Sequence, residues 1–111
     1  MTKTTNEGNL TTFAFLWAIT RDLNRRFPAG NDPYQIMTRL LEECGELAQQ
    51  VNHFEYSGVK RQKQGEPDPA HMAKEIKDVI RATLQIALYY GIEAEVESTF
   101  VYSLAALEID S

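Results

Sequence analysis

The stretch Arg39-Leu-Leu-Glu-Glu-Cys-Gly-Glu-Leu-Ala-Gln-Gln-Val51 decides the fold, because it has the periodicity of an amphipathic helix with acids beside its apolar side. Glu43 and Glu46 stand three residues apart and therefore share a helix face. A later segment repeats this spacing with Glu75 and Asp78. If the two predicted helices pack together, four carboxylates converge, and their repulsion favours a hard divalent cation such as Mg²⁺ or Mn²⁺ among them.

The position of these acids on a helical wheel is stronger evidence for a shared site than their spacing is. With 16 acidic residues in 111, about two acid pairs at i, i+3 are expected by chance. Both pairs lie on the same edge of an apolar stripe, where carboxylates can line a cleft between packed helices. The alternative is two solvated acidic edges. The predicted stripes are Leu40, Leu41, Cys44, Leu47, Ala48 and Val51, and then Ile76, Val79, Ile80, Thr83, Leu84 and Ala87.

Composition indicates a globular protein with one domain over residues 1–111, because 43% of the residues are hydrophobic and 24% are charged. The formal net charge of −5 argues against nucleic-acid binding, which needs a basic face. No apolar run reaches the length of a membrane span, and no signal-peptide pattern is present. We therefore expect a cytoplasmic protein that does not contact membranes. Its one cysteine, Cys44, lies in an apolar stripe and is expected to be a buried, inert thiol.

Start and stop signals predict four helices. Residues 1–9 are polar and predict a loose arm, and a cap at Thr11 or Thr12 begins a first helix that runs to about Arg26. Asp32 and Pro33 begin a second helix, which ends near Phe54 or Tyr56. After a loop over residues 57–69, Asp68 and Pro69 begin a third helix, which Gly91 ends. A fourth helix begins with Glu93, Glu95 and Glu97 and has the apolar stripe Val96, Phe100, Leu104 and Leu107.

No segment alternates as a strand does, so the predicted class is all-α, a four-helix-bundle-like fold. Gly45 inside the second helix costs about 1 kcal/mol relative to alanine. Close approach of another backbone is one reason for a glycine there. Four short helices with wide apolar stripes bury little surface alone, which predicts a homo-oligomer.

The acidic motifs resemble those of a known family. Leu41-Glu-Glu-Cys-Gly-Glu-Leu47, a spacer over residues 47–74 and then Glu75-x-x-Asp78 resemble the E-x-x-E and E-x-x-D signature of the MazG-like all-α nucleoside triphosphate pyrophosphohydrolases. The resemblance covers residues 13–93. It implies a Mg²⁺-dependent enzyme of the MazG-type fold that cleaves a (d)NTP to the monophosphate and pyrophosphate, in a house-cleaning role.

The same resemblance implies that Glu43, Glu46, Glu75 and Asp78 are the metal ligands of a catalytic site between helices, in a dimer or tetramer. The chemistry of these residues agrees, because Mg²⁺ can bridge carboxylates and the phosphate oxygens that they would otherwise repel. A spare carboxylate can take the proton of the attacking water. The sequence leaves Glu46 and Glu42 open for this role.

Other candidate residues would bind the rest of the nucleotide. Lys60, Arg61 and Lys63 form a basic loop that could hold the phosphates, with a solvated loop as the alternative. Trp17 or Phe13 could stack on a nucleobase, although a tryptophan at helical spacing is more often core. Lys74, Lys77 and Arg81 are expected at the surface, and Arg39 is expected to pair with Glu43. His53 lies on the Glu46 edge, where it could touch the substrate, with a surface histidine as the alternative. Nothing specific supports a role for His71.

Two alternatives to a general (d)NTP pyrophosphohydrolase stay open. One is a different reaction of the same superfamily, on dUTP or dCTP or on phosphoribosyl-ATP. The other is a non-enzymatic helical oligomerisation module in which the acids are only solvated.

Overall fold

A computed structural model describes residues 3–55 and 65–110, and the side chains within 12–55 and 65–109. Those residues form four helices and no strand, which confirms the all-α prediction for this part of the chain. None of these helices is both long enough and apolar enough to cross a bilayer. The helices are α1 (Lys3–Arg26), α2 (Pro33–Phe54), α3 (Pro69–Tyr90) and α4 (Glu93–Asp110).

The start of α1 differs from the sequence-based prediction. The helix begins at Lys3, so residues 3–9 are helical where a loose arm was expected and where Thr11 or Thr12 was expected to cap. The residues from Lys3 to Leu10 include no proline, and the penalty for residues such as Asn6 and Gly8 is only about 1 kcal/mol each. Weak helix formers therefore do not prevent α1 from extending through them towards the N-terminus.

The starts of α2 and α3 are where the cap signals placed them. One carboxylate oxygen of Asp32 accepts hydrogen bonds from the backbone N–H groups of Tyr34 and Gln35, at 3.0 Å each. Asp68 caps α3 in the same way and accepts from the N–H of Ala70 at 3.0 Å. In both helices a proline follows the cap, where its missing N–H and fixed φ cost nothing.

Gly91 ends α3, as predicted, by taking a left-handed backbone conformation with φ of 65°. Its N–H donates to Leu88 at 3.2 Å, and the N–H of Ile92 donates to Ala87 at 3.0 Å. These two bonds form a Schellman motif, which satisfies carbonyl groups at the end of the helix. The left-handed conformation strongly favours glycine at this position.

The chain forms two compact units, and α3 contributes to both of them. The first unit consists of residues 1–29 and 84–111, and the second of residues 30–83. In the first unit, Trp17 is buried and donates its indole N–H to Glu97 at 2.7 Å. Gln85 donates to Asn24 at 2.6 Å, so buried polar contacts join α1 to α3 as well as to α4.

The second unit pairs α2 with the first part of α3 through a largely polar interior. Its buried residues include Ile36 and Ala82, but the others that are buried carry polar or charged side chains. Those residues are Gln50, His53, Glu75 and Asp78. Since buried charged groups are rare unless they are paired or hold an ion, this interior is the part of the fold that calls for a functional explanation.

The apolar stripes predicted for α2 and α3 are correspondingly more exposed than expected. The two helices meet along the acidic edges of their stripes, which turns the far side of each stripe outward. Cys44 is exposed as a result, so its predicted burial is wrong for the single chain. Four large apolar side chains of the two predicted stripes are exposed, and we call them the apolar flank: Leu41, Val51, Ile76 and Ile80.

Two glycine-to-alanine changes test this description with opposite signs. Gly91→Ala should lower the free energy of unfolding by about 1–2 kcal/mol, because alanine is strained at positive φ. Gly45→Ala should raise it by about 1 kcal/mol, because in the described part of the chain a Cβ at Gly45 has nothing within 4 Å. The structure thus gives no support for close approach of another backbone at Gly45 within the chain.

Urea denaturation of both variants measures these changes. If Gly45→Ala destabilises the protein, another surface covers this side of α2.

Candidate functional site

The acid pairs of α2 and α3 face each other in the second unit. Glu43 contacts Asp78, and Glu46 contacts Glu75. Because the earlier residue of α2 meets the later residue of α3, the two helices run antiparallel. One carboxylate oxygen from each of Glu43, Glu75 and Asp78 lies within 4.8 Å of the others. We call Glu43, Glu46, Glu75 and Asp78 the acidic cluster.

Burial separates the members of the acidic cluster. Glu75 is 5% exposed and Asp78 is 8% exposed, whereas Glu43 is half-buried and Glu46 is exposed. Two carboxylates from one helix are therefore held away from water beside a third from the other helix. Removing a charged group from water is unfavourable unless a counter-charge or hydrogen bonds replace the lost hydration.

Hydrogen bonds within the protein do not satisfy all of these carboxylates. Within residues 12–55 and 65–109, the Oε2 atoms of Glu43 and Glu75 are buried and have no hydrogen-bond donor. Oxygens that bind one Mg²⁺ at about 2.1 Å lie at most about 4.2 Å apart. Oxygens within 4.8 Å of one another therefore need only a small inward movement to share a cation. The donor set consists of carboxylate oxygens, which suit Mg²⁺ or Mn²⁺.

The electrostatics of the cluster agree with this description. Burial, followed by the negative charge of Asp78, raises the pKa of Glu43 above its ordinary value. Hydrogen bonding to Glu75, together with the charge of Glu75, raises the pKa of Glu46. Without a cation, both carboxyl groups therefore hold protons more tightly than they would in water.

Three basic side chains surround the acidic cluster, and two of them correct an expectation. Lys74 donates to Asp78 Oδ2 at 3.0 Å, and His71 Nε2 lies 3.4 Å from Glu75 Oε1. Lys77 lies farther away, 3.8 Å from Asp78 Oδ1. Lys74 is exposed, as expected, and so is His71, but each reaches a member of the cluster. The i, i+4 spacing of both pairs is the sequence signal that could have identified them.

Arg39 and His53 also differ from their predictions. Arg39 does not pair with Glu43, because its guanidinium group donates to the carbonyl oxygen of Gly30. His53 is 5% exposed and therefore not a surface residue. Its Nε2 atom forms a 2.7 Å hydrogen bond with the carbonyl group of Gly65. This bond fixes the end of α2 against the residues that lead into α3, and so helps to set the register of the two helices.

The remaining predicted site residues lie elsewhere or outside the described part of the chain. Lys60, Arg61 and Lys63, predicted to bind phosphates, are outside the described residues. Trp17, a candidate for stacking on a base, is 4% exposed and has its indole N–H bound to Glu97, which is the position of a core tryptophan. Phe13 is half-buried against Phe100, with ring centroids 5.9 Å apart.

No family model, curated protein or solved structure matches this chain. The interpretation of the acidic cluster therefore depends on its geometry and on the motifs in the sequence.

The raised pKa of Glu43 predicts a specific pH dependence. Below the ordinary value of 4.5 the carboxyl group is protonated in the folded and unfolded chains, so it does not affect stability. As pH rises, the unfolded chain releases this proton first, and the folded state loses stability until its own, higher pKa is passed. Glu43→Gln should therefore match wild type below pH 4.5 and become more stable than wild type as pH rises above it.

Urea denaturation of both proteins in EDTA between pH 4 and pH 7 tests this. A stability difference that stays constant with pH would show that Glu43 is not repelled in the folded protein.

Proposed function

We propose that the acidic cluster binds Mg²⁺ and that the chain is a nucleoside triphosphate pyrophosphohydrolase, cleaving a (d)NTP to the monophosphate and pyrophosphate. The observation that carries the proposal is the convergence of three carboxylate oxygens within 4.8 Å, with buried Oε2 atoms of Glu43 and Glu75 that lack donors. The motif resemblance to the MazG-like family supplies the reaction. The physiological role that we propose for this activity is house-cleaning of nucleotides.

The proposed ligands of the cation are Glu43, Glu46, Glu75 and Asp78. These residues would hold Mg²⁺, which would supply positive charge to offset the negative charge of the phosphates and would make water more acidic. The protein holds the carboxylates in place through the antiparallel pairing of α2 and α3, so the site does not have to be assembled when the nucleotide arrives.

Glu46 is the better candidate for the general base. It lies at the exposed rim of the cluster beside Glu75, where a water molecule has access, and its pKa is raised by that neighbour. A base with a raised pKa takes a proton more readily at neutral pH than an ordinary carboxylate does. Glu42 is exposed and belongs to none of the contacts of the cluster described above. In the balanced reaction, water adds to the α-phosphorus and its proton passes to Glu46 as pyrophosphate departs.

The burial of Glu75 and Asp78 argues against the non-enzymatic alternative, because that alternative requires solvated acids. The choice among (d)NTP, dUTP or dCTP, and phosphoribosyl-ATP depends on the residues that contact the base and sugar. A pyrophosphate-release assay over these nucleotides, with and without Mg²⁺, tests the reaction and its substrate together.

Charge-removing variants test the assignment of the ligands. Glu46→Gln and Glu75→Gln should leave the metal-free protein equally or more stable, because the amide removes repulsion at little change in volume. In wild type, Mg²⁺ at about 100 times its Kd should stabilise the fold by about 2.7 kcal/mol. Both variants should lose most of this stabilisation and lose hydrolysis by orders of magnitude. Melting curves with and without Mg²⁺, and rates of pyrophosphate release, measure both effects.

Glu95→Gln is the matched control, because Glu95 is exposed on α4 and belongs to the other unit. It should keep the Mg²⁺ shift and the rate of wild type. If Glu46→Gln and Glu75→Gln behave like this control, the cluster is not the metal site.

We further propose that the chain assembles with copies of itself as a dimer or tetramer. The apolar flank supports this, because α2 and α3 use their acidic edges to pair with each other and leave Leu41, Val51, Ile76 and Ile80 exposed. In the other unit, the end of α4 exposes apolar side chains of its own, among them Tyr102, Leu107 and Ile109. Large exposed apolar surface is typical of interfaces. A second copy supplies the same surface, as two-fold symmetry requires.

If the chain assembles through the apolar flank, one charge placed on that flank should disrupt the assembly. Leu41 is 66% exposed, so Leu41→Glu should change the stability of a single chain by no more than about 0.5 kcal/mol. In an assembly it should instead bury a charge and shift the mass towards the 12.6 kDa monomer. Light scattering at micromolar concentration measures this. Gln35→Glu adds the same charge at an exposed polar position of α2 and should leave the mass unchanged. A wild-type mass of one chain would refute the assembly.

A further inference from the structure

Lys74 occupies a position that the proposed reaction does not yet explain. Its ammonium group lies one helical turn before Asp78 and donates to Oδ2 of that buried carboxylate at 3.0 Å. The side chain itself is 60% exposed, so a mobile cation at the surface reaches into a buried cluster of negative charge. The negative charges of Glu75 and Glu43 act on the same ammonium group.

The neighbouring basic groups are less suited to this position. Lys77 is similarly exposed, at 64%, but its ammonium group stays 3.8 Å from Asp78 and falls outside hydrogen-bond distance. His71 contacts Glu75 at 3.4 Å and is charged only when protonated. Lys74 is thus the permanently charged group with the closest contact to the cluster among the described residues of this unit.

We infer that Lys74 is the internal counter-ion of the acidic cluster. A divalent cation that binds the cluster displaces the ammonium group of Lys74, which then contacts the phosphates of the bound ligand. This inference rests on the proposed function, since it requires a cation at the cluster. Asp78 is both the partner of Lys74 and a proposed ligand of the cation. The two positive charges would be close together at Asp78, and their repulsion drives the ammonium group outward.

Displacement has a consequence for ligand binding. An ammonium group released from Asp78 remains at the mouth of the site on a flexible stem, where it can donate to a phosphate oxygen. The cation thereby makes the site more attractive to a polyphosphate in two ways, through its own charge and through the released lysine. Cation binding and phosphate binding are then coupled, and each strengthens the other by the same factor.

The test compares Lys74→Met with Lys77→Met, which removes the same charge from the same helix. Calorimetric titration with Mg²⁺ alone measures competition. Titration of the Mg²⁺-loaded protein with inorganic tripolyphosphate measures phosphate binding without dependence on a base. Lys74→Met should bind Mg²⁺ about two- to fivefold more tightly than wild type, the range expected for loss of one exposed ion pair. It should bind tripolyphosphate about two- to fivefold more weakly.

Lys77→Met should stay within about twofold of wild type in both titrations, and Lys74→Arg should behave like wild type. Melting temperatures give a second readout. Metal-free Lys74→Met should melt at a lower temperature than metal-free wild type, because the cluster has lost its counter-ion. Saturating Mg²⁺ should raise its melting temperature to that of Mg²⁺-saturated wild type.

The outcomes separate the two proposals. If wild type binds Mg²⁺ and Lys74→Met binds it no more tightly than Lys77→Met does, Lys74 is a surface residue and this inference is wrong. Unchanged tripolyphosphate affinity in Lys74→Met also overturns it. If wild type does not bind Mg²⁺ at all, the proposed function and this inference both fail.

Discussion

Repulsion among carboxylates is the constraint on which the second unit depends. Two unit charges 4.8 Å apart repel by about 3 kcal/mol at an effective dielectric constant of about 20. A small domain is stable by only about 5–15 kcal/mol, so several such contacts cannot persist without compensation. Two effects offset part of this repulsion. Lys74 donates a hydrogen bond to Asp78, and burial beside Asp78 raises the pKa of Glu43, which favours its uncharged form. A divalent cation would provide a third and stronger effect.

The two helices that carry these carboxylates pair in an unusual way. Amphipathic helices normally bury their apolar stripes against each other and leave charged residues in water. Here α2 and α3 bury Glu75, Asp78 and Gln50, while apolar residues such as Leu41 and Ile80 are exposed. The second unit therefore has a largely polar interior and exposes apolar side chains on its outer side. The proposed metal site and the proposed assembly both depend on this rotation of the two helices.

The helix ends show how closely local sequence can determine structure. Asp32 and Asp68 cap their helices and Gly91 ends α3, because each signal acts through hydrogen bonds or backbone angles within a few residues. The start of α1 was missed for the opposite reason. The residues before Thr11 have no strong signal in either direction, so weak propensity did not predict where the helix begins.

By itself, the sequence determined the helical class, most helix boundaries and the two acid pairs that converge, since periodicity and i, i+3 spacing act along one helix. Only the tertiary structure decided which side of each stripe faces the other helix. The wheel placed Glu43 and Cys44 near the same stripe, and the rotation of α2 against α3 covered the first and exposed the second. The same packing buried His53 against Gly65 and brought Lys74 to a carboxylate that lies beside acids from α2. These contacts combine residues from two helices, and no pattern within either helix specifies the angle at which they meet.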